Sequence, residues 1–273
     1  MIDVHCHMQF HKFENDYDAV IKDAISNGVT TIVNTGTSIE SSRQAVELSQ
    51  KYENLYAIVG IHPHHADKTD AKYEGEPPQD WLVQLESIAK SSKKVIGIGE
   101  VGMDFWNYRT NGIVPVDLQE DAFRKQIELS IKLSLPLQIH TRLAWDETLS
   151  ILSDYKKDFQ APSGMFHCFS GSVDFAKKVL DMGFFVGFDG NITYGGIPPG
   201  ETTALVDLVK YVPVERTLTE TDSPFLSPIP LRGQRNTPSS IPIILDFIAK
   251  TKGISYNTLE AQIERNFSEV FKV

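Results

Sequence analysis

Val95-Ile96-Gly97-Ile98-Gly99-Glu100 is a short run of β-branched residues and glycines that ends on a carboxylate, and Leu135-Pro136-Leu137-Gln138-Ile139-His140 is a second apolar run that ends on an imidazole. Between them, residues 118–133 carry Phe123, Ile127 and Ile131 at four-residue spacing, the period of one helix face. Strand, helix, strand is a βα unit with parallel strands, because a helical crossover brings the chain back to the same end of the sheet. The same rhythm repeats in both directions from this unit. Strands are expected at 2–7, 29–35, 55–62, 95–100, 135–140, 164–167, 184–188 and 217–221. Helices are expected at 17–26, 39–51, 81–89, 118–133, 144–152, 173–182, 202–209 and 238–251, with one more amphipathic stretch at 259–270. Eight βα units in a chain of this size is the count of an α/β protein of the (β/α)8 TIM-barrel type, here with an extra C-terminal helix. A doubly wound open sheet shares the alternation, but no Gly-rich phosphate fingerprint follows the first strand.

The composition fits one such unit. The 273 residues are 41% hydrophobic and 23% charged, which argues against a disordered or fibrous chain. No low-complexity tract or long Gly/Ser linker divides them, and the most polar interruption, 66–79 with Pro77-Pro78, is the size of one surface loop. A single domain over 1–273 is expected. The charge, 26 basic against 36 acidic residues or −10, speaks against a protein that holds polyanions on a basic surface, without excluding nucleic acid as a transient substrate. Two cysteines cannot make a disulfide framework, so a reducing, cytoplasmic compartment is expected. There is no basic segment followed by an apolar signal core at the N-terminus and no stretch of about 18 apolar residues, so no membrane association is expected. Nothing implies a stable protein partner.

The chemistry-bearing residues gather at strand ends. Asp3, His5 and His7 are spaced by two, so in an extended strand they share one face while Val4 and Cys6 share the other. Glu100, His140 and His167 each end an expected strand, and Asp222 follows the eighth. In a parallel barrel these ends lie on one rim, where such folds place their chemistry. Four histidines and two carboxylates exceed the three protein ligands of a catalytic zinc site, so two divalent ions bridged by a carboxylate fit better. Mixed imidazole and carboxylate donors suit zinc, manganese or nickel, with magnesium still open.

Five segments in order carry a family resemblance: Asp3-Val4-His5-Cys6-His7, Gly60-Ile61-His62-Pro63-His64, Gly99-Glu100-Val101-Gly102-Met103-Asp104-Phe105, Phe166-His167-Cys168-Phe169-Ser170-Gly171 and Glu220-Thr221-Asp222-Ser223-Pro224. With Arg232-Gly233-Gln234-Arg235-Asn236 beyond them, the chain resembles the TatD family of metal-dependent hydrolases over nearly its whole length. The resemblance implies a TIM barrel and a deoxyribonuclease-type phosphodiesterase, often exonucleolytic from the 3′ end, with DNA as transient substrate. It also implies that His5, His7 and Asp222 hold one ion, that His140 and His167 hold the other, and that Glu100 bridges. The chain departs from the family pattern at Arg142-Leu143-Ala144 and at Tyr194-Gly195, both in substrate-side loops.

Further roles follow from position. Asp222 is expected to orient the attacking water and accept its proton, the bland alternative being a ligand with no proton-transfer role. His62, Arg232 and Arg235 are placed to meet phosphate oxygens; His62 could instead support the ligands structurally, and the arginines could instead tie down their Pro-rich loop. Asp3, Asp104 and Glu220 are expected to support the ligands, the last two by accepting the second N–H of a ligating imidazole. His11, His64 and His65 read as surface or loop histidines, and Cys6 and Cys168 as packing residues. Phe105, Trp106 and Tyr108 either stack on bases or cover the barrel mouth. The same barrel logic serves carbonyl chemistry, so an esterase, lactonase or amidase is the alternative activity.

Overall fold

The computed structural model describes residues 1–69, 80–109, 112–159 and 162–273, so most of the polar loop expected at 66–79 lies outside the described residues. Eight parallel strands follow one another around a single sheet in chain order: β1 (Ile2–Cys6), β2 (Thr31–Thr35), β3 (Leu55–Val59), β4 (Val95–Asp104), β5 (Leu137–Arg142), β6 (Gly164–Phe166), β7 (Phe185–Phe188) and β8 (Thr217–Thr219). The edges meet: Thr219 Oγ1 donates to Ile2 O at 2.8 Å, and a parallel bridge joins Cys6 to Ser223. The result is a (β/α)8 TIM barrel.

The helices are α1 (Tyr17–Ser26), α2 (Ile39–Lys51), α3 (Trp81–Lys90), α4 (Val116–Leu133), α5 (Trp145–Asp154), α6 (Val173–Asp181), α7 (Leu205–Tyr211), α8 (Ile241–Lys252) and α9 (Tyr256–Phe271). Local chemistry sets several of their ends. Ser38, Ser172 and Ser255 each accept a backbone N–H from the residue three positions on, capping α2, α6 and α9. Gly253, at φ 67, ends α8 in the left-handed conformation that glycine adopts at least cost. Strands β1, β4, β6, β7 and β8 are buried at every residue, as expected for a parallel sheet wrapped in helices. No helix among the described residues is long and apolar enough to cross a membrane.

Helix α9 lies at the N-terminal end of the barrel. The fully buried Asn266 donates to Val214 O at 2.8 Å and to Thr217 O at 2.7 Å, and Glu260 accepts from the Met1 ammonium at 3.1 Å. Phe267 and Phe271 are buried behind these bonds, so that end is closed by apolar packing.

Four boundaries differ from expectation in ways that matter for the site. Strands β4 and β5 run past Glu100 and His140 to Asp104 and Arg142, still paired as Gly102 with His140 and Asp104 with Arg142. Gly102 permits this: its φ is 142, and a Cβ there would come 1.9 Å from His140 O. By contrast β3 stops at Val59 and β8 at Thr219, so His62 and Asp222 sit three residues beyond their strands.

Candidate metal centre

Backbone pairing between the ends of β1 and β8 brings the first donors together. His7 N donates to Ser223 O at 2.8 Å and Asp222 N donates to His5 O at 3.0 Å. Asp222 Oδ1 then lies 3.3 Å from His7 Nε2 and 3.5 Å from His5 Nε2. Asp222 has φ +51, a left-handed conformation uncommon outside glycine and held only where the surrounding structure dictates it. Asp3 does not reach the imidazoles. It accepts from Thr221 N at 3.0 Å and Thr221 Oγ1 at 2.6 Å, bracing the turn that presents Asp222.

Glu100 stands between two pairs of histidines. Its Oε1 is 2.8 Å from His167 Nε2, 2.9 Å from His140 Nδ1 and 3.2 Å from His62 Nε2. Its Oε2 is 3.7 Å from Nε2 of both His5 and His7. The donors fall into triplets whose ligand atoms all lie within 4.8 Å of one another, among them His5, His7 and Asp222, and Glu100, His140 and His167.

The hydrogen bonds around the rings test whether a metal suits this cluster. Gln138 Nε2 donates to Val4 O at 2.8 Å, which turns its oxygen to His5 Nδ1 at 2.9 Å. His7 Nδ1 lies 2.8 Å from Thr35 O. Each Nδ1 faces an acceptor and so carries a hydrogen, leaving each Nε2 with a lone pair turned inward. Those two Nε2 atoms are 3.1 Å apart, and such lone pairs repel unless a proton or a metal ion lies between them. His140 Nε2 similarly faces Asp104 Oδ2 at 3.0 Å, directing Nδ1 toward Glu100. Imidazoles whose outer nitrogens are held in this way are preorganised as ligands.

Ionisation points the same way. Burial, with His167 and His7 nearby, holds His5 well below the usual histidine range, so it is neutral at physiological pH. Burial disfavours the charge on Glu100, but His62, His167 and His140 outweigh it and hold the carboxyl well below its usual range. Burial opposes protonation of His140 as well, yet hydrogen bonds to Asp104 and Glu100 raise it to about 10. A proton on His140 therefore compensates the buried carboxylates when no cation is bound.

His62, expected on phosphate, turns inward. Its Nδ1 accepts His64 N–H at 3.1 Å, so Nε2 carries the hydrogen and donates to Glu100. His64, expected on a surface loop, sits against the cluster instead: Nε2 is 3.1 Å from Asp104 Oδ2 and the ring meets Tyr108 edge-on at 4.0 Å. Its signal was present in the sequence, two residues after a strand-end histidine, but extended alternation fails in the helical turn that follows Pro63. His11 is exposed and paired with Glu14, and His65 bonds Thr37 O. Asp104 supports His140 as expected and His64 in addition. Glu220 does not accept from an imidazole; His167 Nδ1 is 3.9 Å away, and the carboxylate instead accepts from the backbone N–H of Cys168.

The arginines do not reach the cluster. Arg235 makes a two-pronged ion pair with Asp16, at 2.9 and 2.6 Å, over the face of Phe13, and Arg232 stacks on Tyr194 at 4.0 Å. Arg142 lies over Trp106 at 4.2 Å and donates to Tyr108 OH, which donates to Asp104. Cys6 packs with Met8, Phe13 and Ile21 on the helix side of the barrel, and Cys168 Sγ accepts from Asn191. Gln138 was missed, although it precedes His140 by two and so shares its strand face.

A parallel barrel whose C-terminal rim gathers histidines and carboxylates within ligand distance defines a class, the metal-dependent barrel hydrolases. Residues 2–272 match the TatD related DNase family, and the chain belongs to it. It is 31% identical over 274 residues to the uncharacterized metal-dependent hydrolase YabD of Bacillus subtilis, covering 100% of this chain and 99% of the relative. It is 30% identical over 277 residues to the 3′-5′ ssDNA/RNA exonuclease TatD of Klebsiella pneumoniae, covering 100% and 98%. The crystal structure of YJJV, a TatD homologue from Escherichia coli K12, superposes with a TM-score of 0.87 at 26% identity, covering 100% of this chain and 98% of that one.

Proposed function

We propose that this chain, as one domain over 1–273, is a divalent-metal-dependent deoxyribonuclease that removes nucleotides from the 3′ end of single-stranded DNA. The observation that carries the reading is the facing pair of Nε2 lone pairs on His5 and His7, 3.1 Å apart and each pinned from behind, beside Asp222 and Glu100. His5, His7 and Asp222 would hold one ion, His140 and His167 a second, with Glu100 shared. When bound, such ions supply Lewis-acid polarisation of the phosphodiester and a water acidic enough to attack near neutral pH.

The remaining work belongs to the chain. Asp222 is the rim carboxylate with the freer side chain, 15% exposed against 5% for Glu100, and it orients the attacking water and accepts its proton. Glu100, held by the Nε2–H of His62, keeps its charge and its position. Asp104 holds His140 in one tautomer and ring orientation. The relative named as a 3′-5′ ssDNA/RNA exonuclease and the family's description as TatD related DNase support a nucleic-acid substrate.

The test is metal-loaded protein on 3′- and 5′-labelled single-stranded DNA, beside a panel of esters and amides, with a His5→Ala/His7→Ala control. The expected result is mononucleotide release from the 3′ end, lost on chelation and restored by zinc, manganese, nickel or magnesium. Hydrolysis of esters or amides without phosphodiester cleavage would overturn the proposal.

A further inference from the structure

Phe225 lies three residues beyond Asp222 and is 43% exposed, an unusual position for a phenylalanine beside a catalytic cluster. It is not on a floppy loop. Phe225 N donates to Asp222 O at 2.8 Å, Asn236 N donates to Pro224 O at 3.1 Å, and Asn236 Nδ2 donates to Thr221 O at 2.8 Å. Gly190 packs so tightly beneath the same loop that a Cβ would come 2.1 Å from Leu226 O. The backbone that carries the ring is therefore fixed by hydrogen bonds, and the ring is left 43% exposed to water.

Its neighbours define a site. Phe10 stacks flat on His7, with ring centroids 4.4 Å apart, and Phe225 meets both rings edge-on, at 6.3 Å from Phe10 and 6.5 Å from His7. Lys12 Nζ lies over one face of the Phe225 ring, 5.1 Å from its centroid, so only the opposite face is offered to a base. Arg235 donates to Lys12 O at 2.6 Å and pairs with Asp16, so the arginine expected on phosphate fastens the segment that carries this lysine. After β4, Tyr108 is held by its hydrogen bond to Asp104, and Trp106 and Tyr108 share the single cation Arg142.

We propose that Phe225, backed by Phe10 and flanked by Lys12, is the stacking platform for an unpaired base at the DNA end being cleaved, with the Lys12 ammonium meeting the adjacent phosphate. The inference rests on the nuclease reading of the same site. Every nucleobase has a π face, so such a platform is tolerant of sequence and selective for ends whose terminal base is free to unstack from a partner strand. A ring carried on a fixed backbone also spares the binding step the cost of ordering the loop.

The experiment compares wild type, Phe225→Ala and Phe225→Trp, all metal-loaded, on a single-stranded oligonucleotide with a normal 3′ nucleotide and on one with an abasic 3′ residue. Phe225→Ala is expected to lower kcat/KM on the normal end by about 5- to 150-fold, the range for loss of one stacked base. Phe225→Trp is expected to retain activity, and on the abasic end all three proteins are expected to react alike. Equal activity of wild type and Phe225→Ala on the normal end overturns the platform and leaves the nuclease reading standing. An alanine defect of the same size on both ends also overturns it, since a loop distortion does not depend on the base. A wild-type protein that cleaves neither oligonucleotide overturns the nuclease reading and the platform together.

Discussion

The two ends of this barrel are built on opposite rules. At the N-terminal end, α9 closes the structure with Phe267, Phe271 and Val270, and its one buried amide, Asn266, gives both its hydrogens to backbone carbonyls, those of Val214 and Thr217. At the C-terminal rim, imidazole nitrogens face one another, Asp222 and Cys168 occupy left-handed backbone conformations, and His167 Nδ1, Asp189 Oδ2 and Glu220 Oε2 are buried without a partner. The first end is satisfied and gains stability from being so. The second is left unsatisfied, which costs stability in the isolated chain and creates affinity for whatever can complete it.

The largest effects should come from breaking the rim. His5→Ala/His7→Ala is expected to abolish nuclease activity and to remove the ion assigned to His5, His7 and Asp222, read by product release and elemental analysis. Asp222→Asn should lower kcat by about 10²–10⁴-fold while metal content falls far less; equal losses of both would reduce Asp222 to a ligand. Asp104→Asn, which weakens the hold on His140, should lower metal affinity about 10- to 100-fold. Chelation sharpens the comparison: it should lower the melting temperature of the wild type, because a ligand bound only to the folded state stabilises it, and should lower that of His5→Ala/His7→Ala by less.

The opposite end should respond in the opposite currency. Phe267→Ala is expected to cost about 3–5 kcal/mol in denaturant unfolding, and Asn266→Ala about 1–3 kcal/mol by removing two hydrogen bonds to backbone carbonyls. Both should leave kcat/KM of the folded, metal-loaded protein near the wild-type value; a large loss of activity would break the division of labour between the ends. The smallest effect is expected at Arg235→Ala. Its hydrogen-bonded ion pair holds the Asp16 carboxyl below its usual range, so the pair adds stability above the ordinary carboxylate pKa and loses it as pH falls through the lowered one. Wild type and variant should therefore converge in melting temperature in acid and separate slightly near neutrality.

Much of the rim was legible in residue order. Period-two alternation put His5 and His7 on one face and Cys6 on the other, and strand ends located Glu100, His140 and His167. What alternation could not reach was the chain beyond a strand. His64 follows Pro63 into a tight helical turn, and its ring is returned to Asp104 by a geometry that has no sequence period. Arg235 looked like a phosphate ligand because it follows the eighth strand, yet its partner Asp16 is 219 residues away in sequence and only folding could bring the two together. Glu220 was assigned to an imidazole on proximity alone, and the free N–H of Cys168 competed successfully for it.

The sequence by itself determined the eight βα units, the rim on which the donors gather and the identity of the six metal-type side chains, because hydrophobic period and strand alternation are properties of neighbouring residues. Only the tertiary structure decided which nitrogen of each imidazole faces inward, which carboxylate lies between the histidine pairs, and which aromatic ring stands free beside Asp222. Those outcomes depend on hydrogen bonds such as His5 to Gln138, His7 to Thr35 and Asn236 to Thr221, each between segments that meet only when the barrel closes.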